Sequence, residues 1–401
     1  MRIDLYILGR LALGEILCLL VLLLYPGKVQ KVLKHRDIRI FFILLGMWFL
    51  SIILSDIYNE TEFSLFLRGA ARPPVIGVMF IGFLVLLWDH PRSITFFLMG
   101  LVLAAMQNVV LPTDFRAVGL DDTNAYAYFA FVYTPLLLAG SALLAWFLYP
   151  INRNFSGFIL LSAGALSSVN FSRTTAAALF ISGLLILFGR TLGLKLNIRR
   201  KKSFNIQNVA IFLLALTLLY GLLSIYISLS LEGYFGERIM FKMQTQAIGP
   251  SQYPILNMLL TGRHYNISNY LMIVENPFFG TGSWPLTGRY DYRALQFIDY
   301  QISSNFLNSM DTQRGTGHSI LFGNWANYGP FAVPFWAYIF LSSIKLLRIT
   351  FTLERRIFVA LSIFLVIFIF SILFNNLNSL SRAFSGIVPA LLIVLSARFK
   401  T

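Results

Sequence analysis

Long runs of apolar residues, separated by short polar segments, dominate the chain. A helix needs about 20 mostly apolar residues to cross the hydrocarbon core of a membrane, and roughly eleven runs approach that length. They lie at about 5–25, 40–55, 74–89, 93–111, 125–149, 155–170, 174–189, 208–230, 319–344, 357–374 and 383–397. The first run contains Glu15 and lacks a small-residue cleavage site, so we interpret it as a retained helix rather than a signal peptide. The pattern predicts an all-α polytopic membrane protein with about 11–12 transmembrane helices.

The composition supports the same class and excludes several others. Of 401 residues, 57% are hydrophobic and only 12% are charged, yet the net charge is +15. A soluble domain carries about twice that share of charged residues, and disordered chains and coiled coils carry more still. One cysteine, Cys18, excludes a disulfide framework within the monomer. Nucleic-acid binding needs basic residues clustered on a solvated face, which most of this chain lacks.

Lys and Arg are concentrated in short segments between the runs. Gly27–Arg39 and Arg190–Lys202 hold five and six of them, and short cytoplasmic loops of membrane proteins carry such an excess. Placing these segments, the positions near 92, 153 and 345–356, and the C-terminus in the cytoplasm gives an alternating topology. The cytoplasmic segments then hold 19 of the 32 basic residues and a net charge of +16, and the rest of the chain carries −1. The net charge therefore indicates topology rather than a polyanionic partner.

This topology divides the chain into three parts. Residues 1–230 hold transmembrane helices 1–8, residues 231–317 form a large external loop, and residues 318–401 hold the C-terminal transmembrane helices. A loop of this length is usually functional or disordered. Its aromatic residues and apolar patches favour a folded segment with short helices.

Four arginines lie where helices are expected to meet the external surface, which is otherwise depleted in Lys and Arg. They are Arg173, Arg263, Arg314 and Arg382. Each could simply extend its guanidinium toward lipid headgroups. Several converging arginines would instead form a diphosphate site, because a guanidinium binds phosphate through two parallel hydrogen bonds.

His318 is the candidate for proton transfer. It lies between the loop and the next apolar run, after Gly315 and Gly317, and histidine exchanges protons near neutral pH. The alternative is a surface or capping role. No HExxH, CxxC or phosphate-binding GxxxxGK[ST] motif occurs, so the sequence gives no support for a metal site or for ATP hydrolysis.

Together these segments resemble the O-antigen ligase/polymerase family of bacterial lipid-linked glycan ligases and polymerases. The family pattern has an arginine heading a helix, an ENP-x-x-G-x-G turn, and a His-Asn or His-Ser pair opening a helix that ends in a glycine. The matching segments are Thr261–Arg263, Glu275–Gly282, Gly317–Ser319 and Asn327–Gly329, and Ser172–Arg173 resembles the family's Ser-Arg element. The resemblance covers roughly residues 165–335.

The resemblance implies a membrane-embedded glycosyltransferase of the GT-C type. Its donor would be a glycan on undecaprenyl diphosphate, and no metal, nucleotide or other cofactor would be needed. His318 would be the general base that deprotonates the acceptor hydroxyl, with inversion at the anomeric carbon. Arg173 and Arg263 would bind the donor diphosphate and stabilise its developing charge, with Arg314 and Arg382 as supporting residues.

The resemblance also implies a multi-pass protein of the bacterial inner membrane, in contact with membrane lipids, whose active site faces the periplasm. A ligase would attach O-antigen to the lipid A–core acceptor in lipopolysaccharide biosynthesis, whereas a polymerase would join lipid-linked repeat units of O-antigen or capsule. The motifs do not separate the two, and we favour the ligase slightly. Ser319 departs from the family's commoner Asn, which leaves open what orients His318.

A polysaccharide-lipid flippase or transporter is the alternative from another class. It predicts internal repeats and ionisable residues buried in the middle of transmembrane helices. The sequence has no evident repeat, and within the apolar runs the charged residues are few, namely Arg10 and Glu15.

Overall fold

The computed structural model describes most of the predicted helical core. It covers residues 4–6, 10–90, 93–95, 99–100, 134–169, 173–188, 224–234, 236–247, 264–298, 319–350, 355–375 and 379–398, with a few isolated positions, among them 315. The predicted all-α class is confirmed for these residues, apart from a short antiparallel pair of strands, β1 (Asp4–Tyr6) and β2 (Arg10–Ala12).

The described residues form fifteen α-helices. In chain order they are α1 (Leu13–Leu24), α2 (Pro26–Leu33), α3 (Arg36–Tyr58), α4 (Phe63–Ala70), α5 (Arg72–Asp89), α6 (Thr134–Leu148), α7 (Arg153–Val169), α8 (Arg173–Phe188), α9 (Glu237–Ala247), α10 (His264–Glu275), α11 (Gly288–Phe297), α12 (Ile320–Tyr328), α13 (Val333–Thr350), α14 (Arg355–Phe374) and α15 (Ser379–Arg398). A 3₁₀ turn at Pro330–Ala332 joins α12 to α13. The described residues of the segment 231–317 thus include three short helices, α9, α10 and α11.

Three stretches among the described residues are long and apolar enough to cross a membrane. They are α3, the consecutive α4–α5 stretch Phe63–Asp89, and Pro330–Thr350; α1 and α2, which meet at 93°, would make a fourth if counted as one broken span. Shorter apolar helices lie at Leu136–Leu148, Thr175–Phe188, Leu361–Phe374 and Ser381–Ala397. The described helices therefore fit a membrane protein, and the count of 11–12 spans stays a prediction.

Helix α3 shows how the apolar residues are divided between two environments. Trp48 is fully buried and stacks on Phe335 of α13 at 5.2 Å. On another face, Ile43, Leu50 and Ile57 follow one another at seven-residue intervals and are 63%, 58% and 68% exposed. Seven residues are about two helical turns, so these three side chains form one apolar stripe. An outward apolar stripe on a long apolar helix suits contact with lipid.

Two bundles of helices build the core. The larger buried cluster draws mainly on α3, α5, α13, α14 and α15, with Phe41 of α3 stacked on Phe80 of α5 at 3.8 Å. The smaller cluster draws on α6, α7, α8 and α14. In α7 and α8, Gly157 faces Gly183 and Gly164 faces Ala176 closely enough to leave no room for a larger side chain. The opposite order of these pairs makes α7 and α8 an antiparallel hairpin.

Two apolar runs are divided where the sequence predicted continuous helices. The first, 5–25, begins as the strand pair, and its helix starts only at Leu13. The predicted end of this run agrees with the structure, because α1 ends at Leu24 and Pro26, which has no N–H to continue the helical hydrogen bonds, opens α2. The run 319–344 is divided at Gly329, where φ is +80° and the chain turns from α12 into the 3₁₀ turn.

Candidate active site

The end of α12 is capped by a turn that follows α10. The N–H groups of Thr281 and Gly282 donate to the carbonyls of Ala326 and Asn327 at 3.0 and 2.8 Å. Carbonyls in the last turn of a helix have no partner within that helix, and here the turn supplies two donors. We call this contact between residues 276–284 and the end of α12 the turn–helix interlock.

Glycines allow the two backbones to approach. Gly280 has φ +68°, and a Cβ atom there would overlap the Asn327 carbonyl; Gly329 has φ +80°, and a Cβ there would overlap the Phe278 carbonyl. Each glycine therefore fits against the backbone on the opposite side of the interlock. This explains physically why one motif segment has a G-x-G turn and the other ends in a glycine.

Side chains at the end of α3 form hydrogen bonds with both parts of the interlock. Asp56, 3% exposed, accepts the Ser283 N–H at 2.5 Å and the Ser283 hydroxyl at 2.7 Å. The Ser55 hydroxyl donates to the Asn327 carbonyl at 2.7 Å, and the Asn59 amide donates to the Gly280 carbonyl at 3.2 Å. Three side chains of one helix end therefore bind both halves of the interlock.

Arg72 completes this polar network from the start of α5. It is 9% exposed and lies over the Trp284 ring, 5.1 Å from its centroid, and its Nη1 donates to the Tyr328 hydroxyl at 3.3 Å. The Tyr328 oxygen lies 3.3 Å from Ser283 Oγ. Because the single Ser283 hydroxyl proton goes to Asp56, Tyr328 donates to Ser283. A chain of hydrogen bonds thus links the guanidinium to the carboxylate through two hydroxyls.

Ser319 has a structural role next to His318. Its Oγ accepts the Phe322 N–H at 3.1 Å, as an N-cap residue does, and its hydroxyl donates to the Ile372 carbonyl of α14 at 3.2 Å. Ser319, which stands where the resembled family more often has asparagine, therefore caps α12 and fixes its start against α14.

Helices α10 and α11 form a second polar unit beside the interlock. Arg293 of α11 donates a hydrogen bond to Glu275 of α10, and Arg289 lies 3.6 Å from the same carboxylate. The hydrogen bond from Arg293 holds the pKa of Glu275 below its ordinary value. Met272 of α10 is buried against Tyr290 and Ala326, so α10 contacts both α11 and α12.

A buried carboxylate lies between α10 and α11. Asp291 is 1% exposed, and neither carboxylate oxygen accepts a hydrogen bond of normal geometry from the described residues. Burial raises the pKa of Asp291, and the nearby Ser268 and Thr287 hydroxyls and His264 offset part of that rise. Beside Thr287 lies Gly315, whose N–H donates to the Pro285 carbonyl at 3.2 Å.

The predicted site residues are only partly within the described structure. His318, Arg263 and Arg314 lie outside the described residues, and so does the side chain of Arg173, which opens α8. Arg382 lies in the first turns of α15, where its Nε is 3.0 Å from Oε1 of the buried Glu15. The roles of these five residues stay predictions.

The sequence interpretation did not single out Asp56, Arg72 or Asp291. A signal existed for Arg72, because it lies in an external loop by the topology argument and so shares the property that selected the four other arginines. Asp56 and Asp291 are ordinary acidic residues in sequence, and only their burial distinguishes them. Among the described residues, no group of three His, Cys, Asp or Glu side chains could hold a metal ion.

Comparisons with protein-family models, with curated proteins and with solved structures find no match to this chain.

Proposed function

We propose that this chain is a membrane glycosyltransferase that transfers a glycan from undecaprenyl diphosphate to a sugar hydroxyl on the periplasmic face of the bacterial inner membrane. We favour O-antigen ligation onto lipid A–core as the reaction. The observation that carries the proposal is the turn–helix interlock, in which two motif segments far apart in sequence complete each other by backbone hydrogen bonds.

The residues that flank the proposed active groups support the same function. His264 directly follows Arg263, and Gly315 precedes His318 by three positions. His264 faces Asp291, and Gly315 lies against Thr287, which is one helical turn before Asp291. His264 and Gly315, which are close in sequence to Arg263 and His318, therefore both lie near the start of α11.

The proposed reaction needs a base and a cationic site. His318 accepts the proton of the acceptor hydroxyl as its oxygen attacks the anomeric carbon. The bond from that carbon to the diphosphate oxygen breaks on the opposite side, so the configuration inverts and the lipid diphosphate leaves. Arg173 and Arg263 stabilise the charge on the leaving group through fixed guanidinium contacts.

The test is transfer by the purified chain with an undecaprenyl-diphosphate glycan donor. His318→Ala should abolish most turnover, and His90→Ala, at an exposed position after α5, should retain it. Arg263→Lys should lose much of the rate, because a point charge cannot reproduce the paired hydrogen bonds of a guanidinium. Wild-type turnover of His318→Ala would refute its role as base.

The acceptor is decided in cells by deleting the gene. A ligase predicts long polymer that stays on the lipid carrier, and a polymerase predicts short lipid-linked repeats. If the labelled donor moves across the membrane of vesicles that contain the purified chain, and no glycan is transferred, the result would favour a flippase and contradict the proposal.

A further inference from the structure

Among the described residues, five exposed aromatic side chains lie at one end of the three stretches that are long enough to cross a membrane. They are Tyr58 at the end of α3, Phe63 at the start of α4, Phe278 and Phe279 in the turn of the interlock, and Phe331 in the 3₁₀ turn before α13. Each is between 42% and 73% exposed. We call these five side chains the aromatic patch. A group of exposed apolar side chains of this kind marks a contact surface.

Contacts at the interlock show that the five residues lie at the same end of the helices. The rings of Tyr58 and Phe279 stack with their centroids 4.5 Å apart. The Phe278 carbonyl lies against Gly329, which is two positions before Phe331. A short connection joins the end of α3 to the start of α4. The aromatic patch therefore combines the ends of all three stretches with the turn of the interlock.

The opposite ends of the same stretches carry basic residues. Arg39 lies near the start of α3, and Arg348 lies in the last turn of α13. At the end of α5, Asp89 accepts a hydrogen bond from Lys28 at 2.9 Å. Arg39 and Tyr58 are 19 positions apart on α3, which is about 28 Å along a helix axis. The hydrocarbon core of a bilayer is about 30 Å thick, so the basic residues and the aromatic patch are about one hydrocarbon thickness apart.

The aromatic patch continues the outward apolar stripe of α3. Ile57, the last residue of that stripe, directly precedes Tyr58, and both side chains are exposed. The neighbouring charged groups, Asp56 and Arg72, are buried instead and are linked to each other through two hydroxyls. Tyrosine is enriched where hydrocarbon meets headgroups, and phenylalanine is common on surfaces that insert at this boundary. The aromatic patch therefore has the composition and the position of a surface that contacts lipid.

We propose that the aromatic patch inserts into the bilayer at the boundary between headgroups and acyl chains, and that it holds the turn of the interlock at that depth. The partner of this surface is the lipid bilayer itself. Phe278 and Phe279 make the turn a membrane-inserted segment, so the interlock lies at the depth where lipids carry their phosphates. This inference goes beyond the proposed function and does not depend on it.

Fluorescence quenching at different depths of the membrane tests the proposal on the full chain. Phe278→Cys is labelled with an environment-sensitive fluorophore and reconstituted in vesicles of phosphatidylethanolamine and phosphatidylglycerol that contain nitroxide lipids. A nitroxide near the headgroup should quench this label at least about twofold more strongly than a nitroxide near the end of the acyl chain, because insertion at this boundary reaches about 5–10 Å. The unchanged chain measures background labelling, which should be low because Cys18 is buried.

Two further positions calibrate the depth. Leu50→Cys, in the middle of the apolar stripe, should show the opposite preference, with stronger quenching by the nitroxide near the end of the acyl chain. Gln296→Cys, an exposed polar position of α11, should be quenched mainly by iodide in the water. Phe331→Cys is a second position in the aromatic patch and should behave like Phe278→Cys, so the test does not depend on one variant.

Several results would overturn the proposal. Labels at 278 and 331 that only iodide quenches would place the aromatic patch in water. Protection of both labels from iodide and from both nitroxides would show that a protein, such as a second copy of the chain, covers the surface. Absence of nitroxide quenching at Leu50, or equal headgroup quenching at Gln296 and Phe278, would contradict the proposal as well. None of these results depends on whether the chain transfers a glycan.

Discussion

Replacing Asp56 with Ala should loosen the turn–helix interlock without unfolding the helices around it. The substitution removes both acceptors of Ser283, whose side chain and N–H are buried. A hydrogen bond to a charged group contributes about 1.5–3 kcal/mol. Loss of the pair therefore lowers the free energy of opening the turn by about 3–6 kcal/mol. Asp56→Asn should cost about half as much, because its amide keeps one oxygen acceptor.

Hydrogen exchange on the full chain measures this directly. The amides of Thr281, Gly282 and Ser283 exchange when the interlock opens, so a loss of about 3–6 kcal/mol should accelerate their exchange about 10²- to 10⁴-fold. Peptides from the middle of α3 and α13 should exchange as in wild type, because the core contacts of Trp48 and Phe335 are intact.

Asp37→Asn is the matched control, since Asp37 lies at the opposite end of α3 with its side chain 51% exposed. Its effect should stay within about 0.5 kcal/mol. Unchanged exchange at Thr281–Ser283 in Asp56→Ala would refute the anchoring role of Asp56, as would equal acceleration in Asp37→Asn.

Three further predictions concern other contacts. Arg382→Ala removes the guanidinium that faces the buried Glu15 carboxylate and should lower the free energy of unfolding by about 3–5 kcal/mol. Adding Glu15→Gln should recover much of this loss, and an unchanged thermal midpoint of Arg382→Ala would contradict the ion pair. Burial raises the pKa of Asp291, so the folded protein binds a proton there more readily than the unfolded chain does. The stability of wild type relative to Asp291→Asn should therefore fall as the pH rises above about 4 and through the raised pKa. A difference in thermal midpoint that is the same at every pH would contradict this. Gly329→Ala should cost at least about 1–3 kcal/mol through its positive φ alone, measured against Gly140→Ala, which has open space around it on α6; equal midpoints for the two would be the contrary result.

Helix positions follow from local physics and could be predicted. The run 40–55 became Arg36–Tyr58 and the run 74–89 became Arg72–Asp89, because an apolar stretch of membrane-spanning length has few alternatives to a helix. The strand pair before Leu13 and the break at Gly329 both lie inside predicted runs, because hydrophobicity alone does not distinguish an apolar strand from an apolar helix and does not detect a positive φ. Apolar continuity therefore predicted a longer helix in both places.

The polar network could not be predicted in the same way. Asp56 and Ser283 are 227 positions apart, and nothing in either local sequence indicates the other. The motif spacing did indicate that Gly280 and Gly329 were special, but not that they fit against each other. Ser319 could have been recognised, since serine directly before a helix is a common N-cap, although the family comparison drew attention to histidine orientation instead.

The arginines show how the topology argument must be refined. An arginine on the face that is poor in basic residues is not explained by topology, yet it need not bind a substrate. Arg382 lies against Glu15, and Arg72 reaches Asp56 through Tyr328 and Ser283. In both places an acidic residue inside the protein compensates the guanidinium, directly or through hydroxyls. A candidate substrate-binding arginine should therefore meet two conditions: the topology does not explain it, and no acidic residue of the protein compensates its charge. By this criterion Arg382 is a weak candidate for a supporting residue of the diphosphate site, and mutagenesis should begin with the two proposed diphosphate ligands, Arg173 and Arg263.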